Sequence, residues 1–247
     1  MKILLLADIH GNFPALEAIE HTFKGTHFDY IINCGDSVVY APFPNEVIHW
    51  LMDKKALSIL GNTDKKVIKL LKGKTFKKPS KPDKRIMYSH TADILDKDCS
   101  HYLMNLPISR EVPLFTTTAP PAGKSDLLGV FHGSPAAPHE FLFDISPENR
   151  FKELASEFPY RIVVTGHSHT PYHFQALSSH FINPGSAGRM FDGDPRVSCA
   201  VLSFNRNTIN VTHYRIEYNV NAVIEALNHH HLPPIYQMMY SLGKKLN

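Results

Sequence analysis

The sequence predicts an α/β fold with two sheets, organised as one domain over residues 1–247. Three observations carry this expectation. Residues 3–60 alternate strand, helix, strand, helix and strand patterns, the order of parallel strands joined by crossover helices. The second half changes to short strand-like runs, most of them separated by Pro, Gly and Asn clusters. No internal repeat or linker divides the chain, and its 43% hydrophobic content is enough to bury a sizeable core.

Taken in order, residues 3–7 form a continuous apolar run, as in a strand buried on both faces. Pro14 opens a helical pattern through Leu16, Ile19 and Phe23, and proline is acceptable in a first turn. Residues 30–33 read as a second buried strand, 45–52 as a helix, 56–60 as a third strand and 65–71 as a short helix. Residues 72–85 hold seven basic residues with Pro79 and Pro82 and read as a loop. A strand is expected at 86–89 and a helix at 94–106. Further strands are expected near 110–115, 127–132, 161–165, 181–183, 198–204 and 208–214, with helices over 147–158 and 220–227. The Thr/Pro/Gly-rich residues 116–125 read as a loop between strands.

The bulk numbers exclude several classes. A net charge of +3 gives no whole-molecule field that would argue for nucleic acid or a membrane. Cys34, Cys99 and Cys199 are an odd set without paired spacing, which argues against a disulfide-stapled secreted protein. The apolar start meets Asp8 at once, too soon for a signal-peptide core or a membrane span. The expectation is a soluble cytoplasmic protein. His229 to His231 read as an exposed helix end.

The chemistry-bearing residues cluster where expected strands end: Asp8-Ile-His10-Gly-Asn12, Gly35-Asp36, Gly61-Asn62-Thr63-Asp64, His132-Gly133 and Gly166-His167-Ser-His169. In α/β sheets the carboxyl ends of strands line the site crevice. Asp8 and His10 are two apart, as are His167 and His169, so in an extended strand each pair would share a face and one metal. Asp8, Asp36, Asn62, His10, His132, His167 and His169 make seven candidate ligands, too many for one ion that is not calcium-like, and calcium does not choose four histidines. Two divalent ions bring four positive charges, two aspartates remove two, and a bridging hydroxide leaves about one net positive charge to face an anionic ester.

This ordered series resembles the calcineurin-like metallophosphoesterase family. Asn183-Pro-Gly-Ser186, Asp192-Gly-Asp-Pro-Arg196 and Pro44-Asn-Glu-Val47 also look like its smaller bacterial and archaeal members. The resemblance implies a four-layer α/β/β/α sandwich with two facing mixed sheets. It implies that Asp8, His10 and His169 bind one ion, that Asn62, His132 and His167 bind a second, and that Asp36 bridges. The ions in the family include Mn, Fe, Zn, Ni and Mg. One position departs: where many members carry a histidine thought to protonate the leaving group, this chain has Thr63, whose hydroxyl is no general acid near neutral pH. The resemblance therefore implies hydrolysis by in-line attack of a metal-bridging hydroxide, biased to diesters or good leaving groups.

Asn12 and Arg196 are candidate contacts to the bound phosphate, against plainer roles as a turn residue and a surface arginine. His90 and His139 are candidate replacements for the missing acid, against plain surface or packing roles. Ser134 lacks the flanking glycines of a nucleophile elbow. Two other functions compete. A non-catalytic scaffold on the same fold is one, as in a retromer subunit that resembles the family. A nuclease is the other, supported only by the basic residues 72–85. The expected partner is a small phosphate ester, with no membrane.

Overall fold

The apolar run at the amino terminus forms strand β1 (Lys2–Leu6), in the middle of a sheet. Its side chains alternate between two cores: Ile3, Leu5 and Ala7 face one, Leu4 and Leu6 the other. Burial on both faces is why no polar residue interrupts the run.

The structure is a computed structural model that describes residues 1–114, 126–205 and 208–247. Among them β1 is followed by α1 (Phe13–Thr22), β2 (Tyr30–Asn33), α2 (Pro44–Asp53), β3 (Leu57–Ser58), α3 (Asn62–Leu71), α4 (Pro82–Ile94), α5 (Lys97–Asn105), β4 (Ser109–Pro113) and β5 (Leu127–Phe131). Then come α6 (Glu148–Glu157), β6 (Ile162–Val164), β7 (Tyr172–Ala176), β8 (Ser179–Asn183), β9 (Val197–Phe204), β10 (Ile209–Ile216), α7 (Val220–His229) and α8 (Ile235–Leu242).

The first sheet has the order β10-β9-β1-β2-β3, and the second β4-β5-β6-β8-β7. In the first, β1, β2 and β3 run parallel, with Ile3 opposite Tyr30, while β9 is antiparallel to both β1 and β10. In the second, β5, β6 and β8 run parallel and the edges β4 and β7 are antiparallel. Ile3, Leu5 and Ile32 of one sheet meet Leu128, Val130 and Ile162 of the other. Leu16 and Ile19 of α1 and Val47 and Leu51 of α2 cover the far face of the first sheet. Phe151 and Leu154 of α6 cover Val163 and Phe181 on the far face of the second. Each such buried side chain contributes roughly 1.5–3 kcal/mol over an exposed one. The layers are therefore α/β/β/α with two mixed sheets, as the resemblance implied. A further helical cluster, with Val67, Met87, Leu103, Val223 and Met239, packs around Val38 to Tyr40 after β2.

Several local expectations are corrected. Residues 86–89 belong to α4, because Pro82 starts that helix and Met87, Tyr88 and Thr91 share its buried side. Residues 94–106 are not one helix: Leu95 turns extended, and Asp96 starts α5 by accepting from Cys99 N at 2.7 Å. Residues 82–85 open α4 instead of ending a loop. Strand β7 and helix α8 were not anticipated. The expected loop at 116–125 and the end of the expected strand at Phe115 lie outside the described residues. No described helix is long and apolar enough to cross a membrane. Cys34, Cys99 and Cys199 are free and buried.

Candidate metal centre

The five motifs meet at the carboxyl ends of parallel strands from both sheets. Asp8 and His10 follow β1, Asp36 follows β2, Asn62 follows β3 and opens α3, His132 follows β5, and His167 and His169 follow β6. Turn geometry aims them, not strand alternation. Asp8 (φ 53°), His10 (φ 53°), Asp36 (φ 54°), His167 (φ 68°) and His169 (φ 57°) all occupy the left-handed region. Each such residue costs roughly 1–3 kcal/mol unless its surroundings fix it. Strands β1 and β6 end at Leu6 and Val164, so the idea that each Asp-x-His or His-x-His pair shares a strand face is corrected.

Hydrogen bonds hold these turns. Asp8 N donates to Gly35 O (3.0 Å), and His10 N to Asp36 O (2.9 Å). Ser186 Oγ donates to Asp8 O (2.6 Å), and Asn183 Nδ2 to Gly166 O (2.8 Å). The Asn183-Pro-Gly-Ser186 segment thus braces the turns that carry His10 and the pair His167 and His169. Gly61 is required by close approach: a Cβ there would strike Asp36 Oδ1 and lie 2.7 Å from its Cγ.

Two groups of side chains result. Asp8, His10 and His169 offer ligand atoms within 4.8 Å of one another, and so do Asp36, His132 and His167. Asp36 Oδ2 stands between the groups, 4.0 Å from His10 Nε2 and 3.5 Å from His132 Nε2. Its Oδ1 accepts from Thr63 N (2.7 Å) in the first turn of α3, where the helix dipole favours an anion. The Asn62 amide oxygen lies 3.2 Å from His132 Nε2 and 2.9 Å from His167 Nδ1. Asp8 Oδ1 is buried, lies 3.6 Å from His169 Nε2, and has no hydrogen-bond partner. Buried acceptor atoms turned toward one another are costly alone and suit a cation among them. Imidazole, carboxylate and amide oxygen together fit first-row transition ions.

Protonation of three of the four imidazoles favours the same use. Burial lowers His10 to about 3 and His167 to about 4, and depresses His169 well below the ordinary imidazole value. These rings are neutral at pH 7, as ligands must be. Burial would also lower His132, but the adjacent Asp36 carboxylate outweighs it and holds the ring at about 9. Burial pushes the Asp8 carboxyl well above its usual range. Burial would raise Asp36 too, but His132 and His10 hold it below that range. His132 Nδ1 donates to Cys34 O (2.8 Å) and His169 Nδ1 to Arg189 O (2.5 Å), so each ring turns Nε2 inward.

A model of the calcineurin-like phosphoesterase superfamily domain matches residues 1–207. The chain belongs to that superfamily. It is 25% identical over 248 residues to an uncharacterised protein of Methanocaldococcus jannaschii, covering 94% of this chain and 93% of the relative. It superposes on a metallophosphoesterase from Sphaerobacter thermophilus with a TM-score of 0.78 at 25% identity, over 98% of this chain and 99% of that one. A hypothetical protein from Pyrococcus horikoshii shares the fold, with a TM-score of 0.83 at 18% identity over 99% of each chain.

In this superfamily member a cavity of about 500 Å³ opens over His10, Asp36, Asn62, His167 and His169. Thr63 lines it, but its hydroxyl donates to Val38 O (3.2 Å). The two expected phosphate contacts are corrected. Asn12 is fully buried: its Oδ1 caps α1 through Ala15 N (3.2 Å) and its Nδ2 donates to Gly188 O (2.9 Å). Arg196 pairs with Asp194 (2.7 Å) at the surface and does not line the cavity. His90 packs at a tilt against His230 and His139 is exposed, and neither lines the cavity. The cavity is instead completed by residues that no motif flagged. Phe141 stacks on His167 (3.9 Å between ring centres) and Phe191 on His169 (4.3 Å), while Arg189, Lys84 and Lys245 supply positive charge. Lys84 belongs to the basic run 72–85, and Arg189 stands three residues after Ser186; these are the sequence signals among them.

Proposed function

We propose that this chain is a phosphoesterase working with two divalent cations, and that it prefers diesters. Asp8, His10 and His169 would hold one cation and Asn62, His132 and His167 the other, with Asp36 shared. The observation that carries this is the placement of Asp36 Oδ2 between two groups that each gather ligand atoms within 4.8 Å. When bound, the cations would polarise phosphoryl oxygens and supply a water of lowered pKa as nucleophile.

The chain's own residues do the rest. Burial keeps His10, His167 and His169 deprotonated, and the carbonyls of Cys34 and Arg189 fix the rings of His132 and His169. Phe141 and Phe191 shield His167 and His169 from water. Thr63, already donating to Val38 O, delivers no proton to a departing alkoxide. Lack of such an acid costs ~10²–10⁴-fold on poor leaving groups, which supports diesters with good ones. Residues 1–247 would act as one catalytic domain in the cytoplasm, where the free thiols of Cys34, Cys99 and Cys199 persist.

The test is hydrolysis of bis(p-nitrophenyl) phosphate and p-nitrophenyl phosphate after chelation and after manganese is restored. Turnover should vanish and return, with the diester hydrolysed faster than the monoester. Folded protein that binds two ions yet hydrolyses neither compound would be a scaffold and not an enzyme.

A further inference from the structure

We propose that Arg189, Lys84 and Lys245 form a second anion subsite beside the metal centre, which takes a second phosphate group of the substrate. This rests on the phosphoesterase reading above. It specifies the ester as one that carries a separate, terminal phosphate.

Arg189 is 5% exposed, and its guanidinium lies 3.9 Å over the Tyr40 ring, with Phe191 and Tyr236 also near. Among the described residues no carboxylate lies within ion-pair distance of it. Its side chain donates from Nη2 to Met239 Sδ (3.3 Å), a weak acceptor, and its Nε is buried without a partner. A guanidinium has five donors, and leaving them unmet in a buried place is costly.

Two ammonium groups line the same cavity from distant parts of the chain, Lys84 in α4 and Lys245 beyond α8. Neither has a carboxylate partner among the described residues. Lys245 Nζ sits 5.7 Å over Phe191, the ring that stacks on His169. The nearby acid Asp192 does not offset them, because Arg215 holds it at 2.6 and 3.2 Å. Burial, with Lys245 and Arg189 close by, lowers Lys84 to about 8, so the cluster repels itself. An anion among the three cations relieves that repulsion.

The position separates this subsite from the metal centre. Tyr40 meets the His10 ring edge-on at 5.1 Å and carries Arg189 against its ring. The Tyr40 ring therefore stands between the guanidinium and the His10 imidazole. A phosphoryl group at the metal ligands leaves Arg189 free, and a second phosphate joined by a short spacer can reach it.

The experiment compares p-nitrophenyl thymidine 5′-phosphate with the same ester bearing a 3′-phosphate, using manganese-loaded protein. The 3′-phosphate should raise kcat/KM by about tenfold or more, since each charge-assisted contact is worth about that factor. In the Lys84→Met/Lys245→Met double variant the ratio should fall toward one. Lys245→Glu, at an exposed position, gives a second variant should the double one fold poorly. No 3′-phosphate advantage in the wild type, or an undiminished one in the variants, overturns the proposal. If neither ester is hydrolysed, calorimetric binding of inorganic pyrophosphate decides. Affinity that falls about tenfold in the variants supports the subsite even though the phosphoesterase reading has failed. Equal affinity overturns it.

Discussion

Replacing Gly61 with alanine adds one methyl group where the second and third motifs touch. At φ −92° and ψ −174° the backbone is extended and suits alanine, so the substitution carries no strain of its own. The cost is steric. The new Cβ would overlap Asp36 Oδ1 and N and lie 2.7 Å from Asp36 Cγ. None of these atoms can swing away: Asp36 sits at φ 54°, with Oδ1 bound to Thr63 N at 2.7 Å. Overpacking of this kind costs about 1–3 kcal/mol. For a chain of this size each kcal/mol lowers Tm by roughly 2–4 °C, so a fall of about 2–12 °C is expected. The displaced carboxylate is the one between the two ligand groups, so manganese affinity should fall by about 10–100-fold as well. Gly25→Ala is the matched control: at φ +79° with no atom near the new Cβ, it costs only the roughly 1–2 kcal/mol of left-handed backbone. Differential scanning calorimetry and manganese titration read both effects. Wild-type melting and affinity in Gly61→Ala, or equal loss of affinity in Gly25→Ala, would refute the reasoning.

Asn12→Ala should cost about 1 kcal/mol through the lost α1 cap while leaving the manganese content unchanged, as denaturant melts and metal analysis would show. A loss of metal would contradict the structural role. Arg196→Ala should leave kcat/KM within about twofold, because surface pairs of this kind contribute little. A large rise in KM would return Arg196 to the site. In metal-free protein the His132 imidazolium, raised from 6.5 to about 9, contributes stability that is complete below pH 6.5. It is lost as pH rises through about 9, a difference of roughly 3 kcal/mol. From pH 6 to pH 10 urea midpoints should fall further in the wild type than in His132→Gln, since the lowered His10, His167 and His169 act alike in both. An equal pH dependence in both would count against the pairing with Asp36.

The seven candidate ligands could be singled out in the sequence because each motif is short and local. Asp, Asn or His sits beside a glycine that permits a turn or a close approach, as Gly61 does for Asp36. The central strands were legible for a similar reason, since two-sided burial demands the unbroken run of residues 3–7. What failed depended on tertiary contacts. Residues 86–89 carry Ile, Met and Tyr, which suit a strand locally, yet packing of Met87 and Tyr88 in the helical cluster makes them helix. The convergence of Asp8 with His10 was anticipated for the wrong reason, because left-handed φ values leave no mark in residue type. The Asn12 carboxamide suits a cap or a phosphate equally well, and only its bonds to Ala15 N and Gly188 O decide. Lys84, Arg189 and Lys245 belong to no motif and meet only once the chain is folded.

Counting manganese in chelated, reloaded and desalted protein tests the proposed pair of cations most directly, with wild type and Asp36→Asn measured side by side. The wild type should retain two ions per chain and the variant fewer. A wild type that retains one ion or none, or a variant that keeps both undiminished, would contradict a pair of cations sharing Asp36.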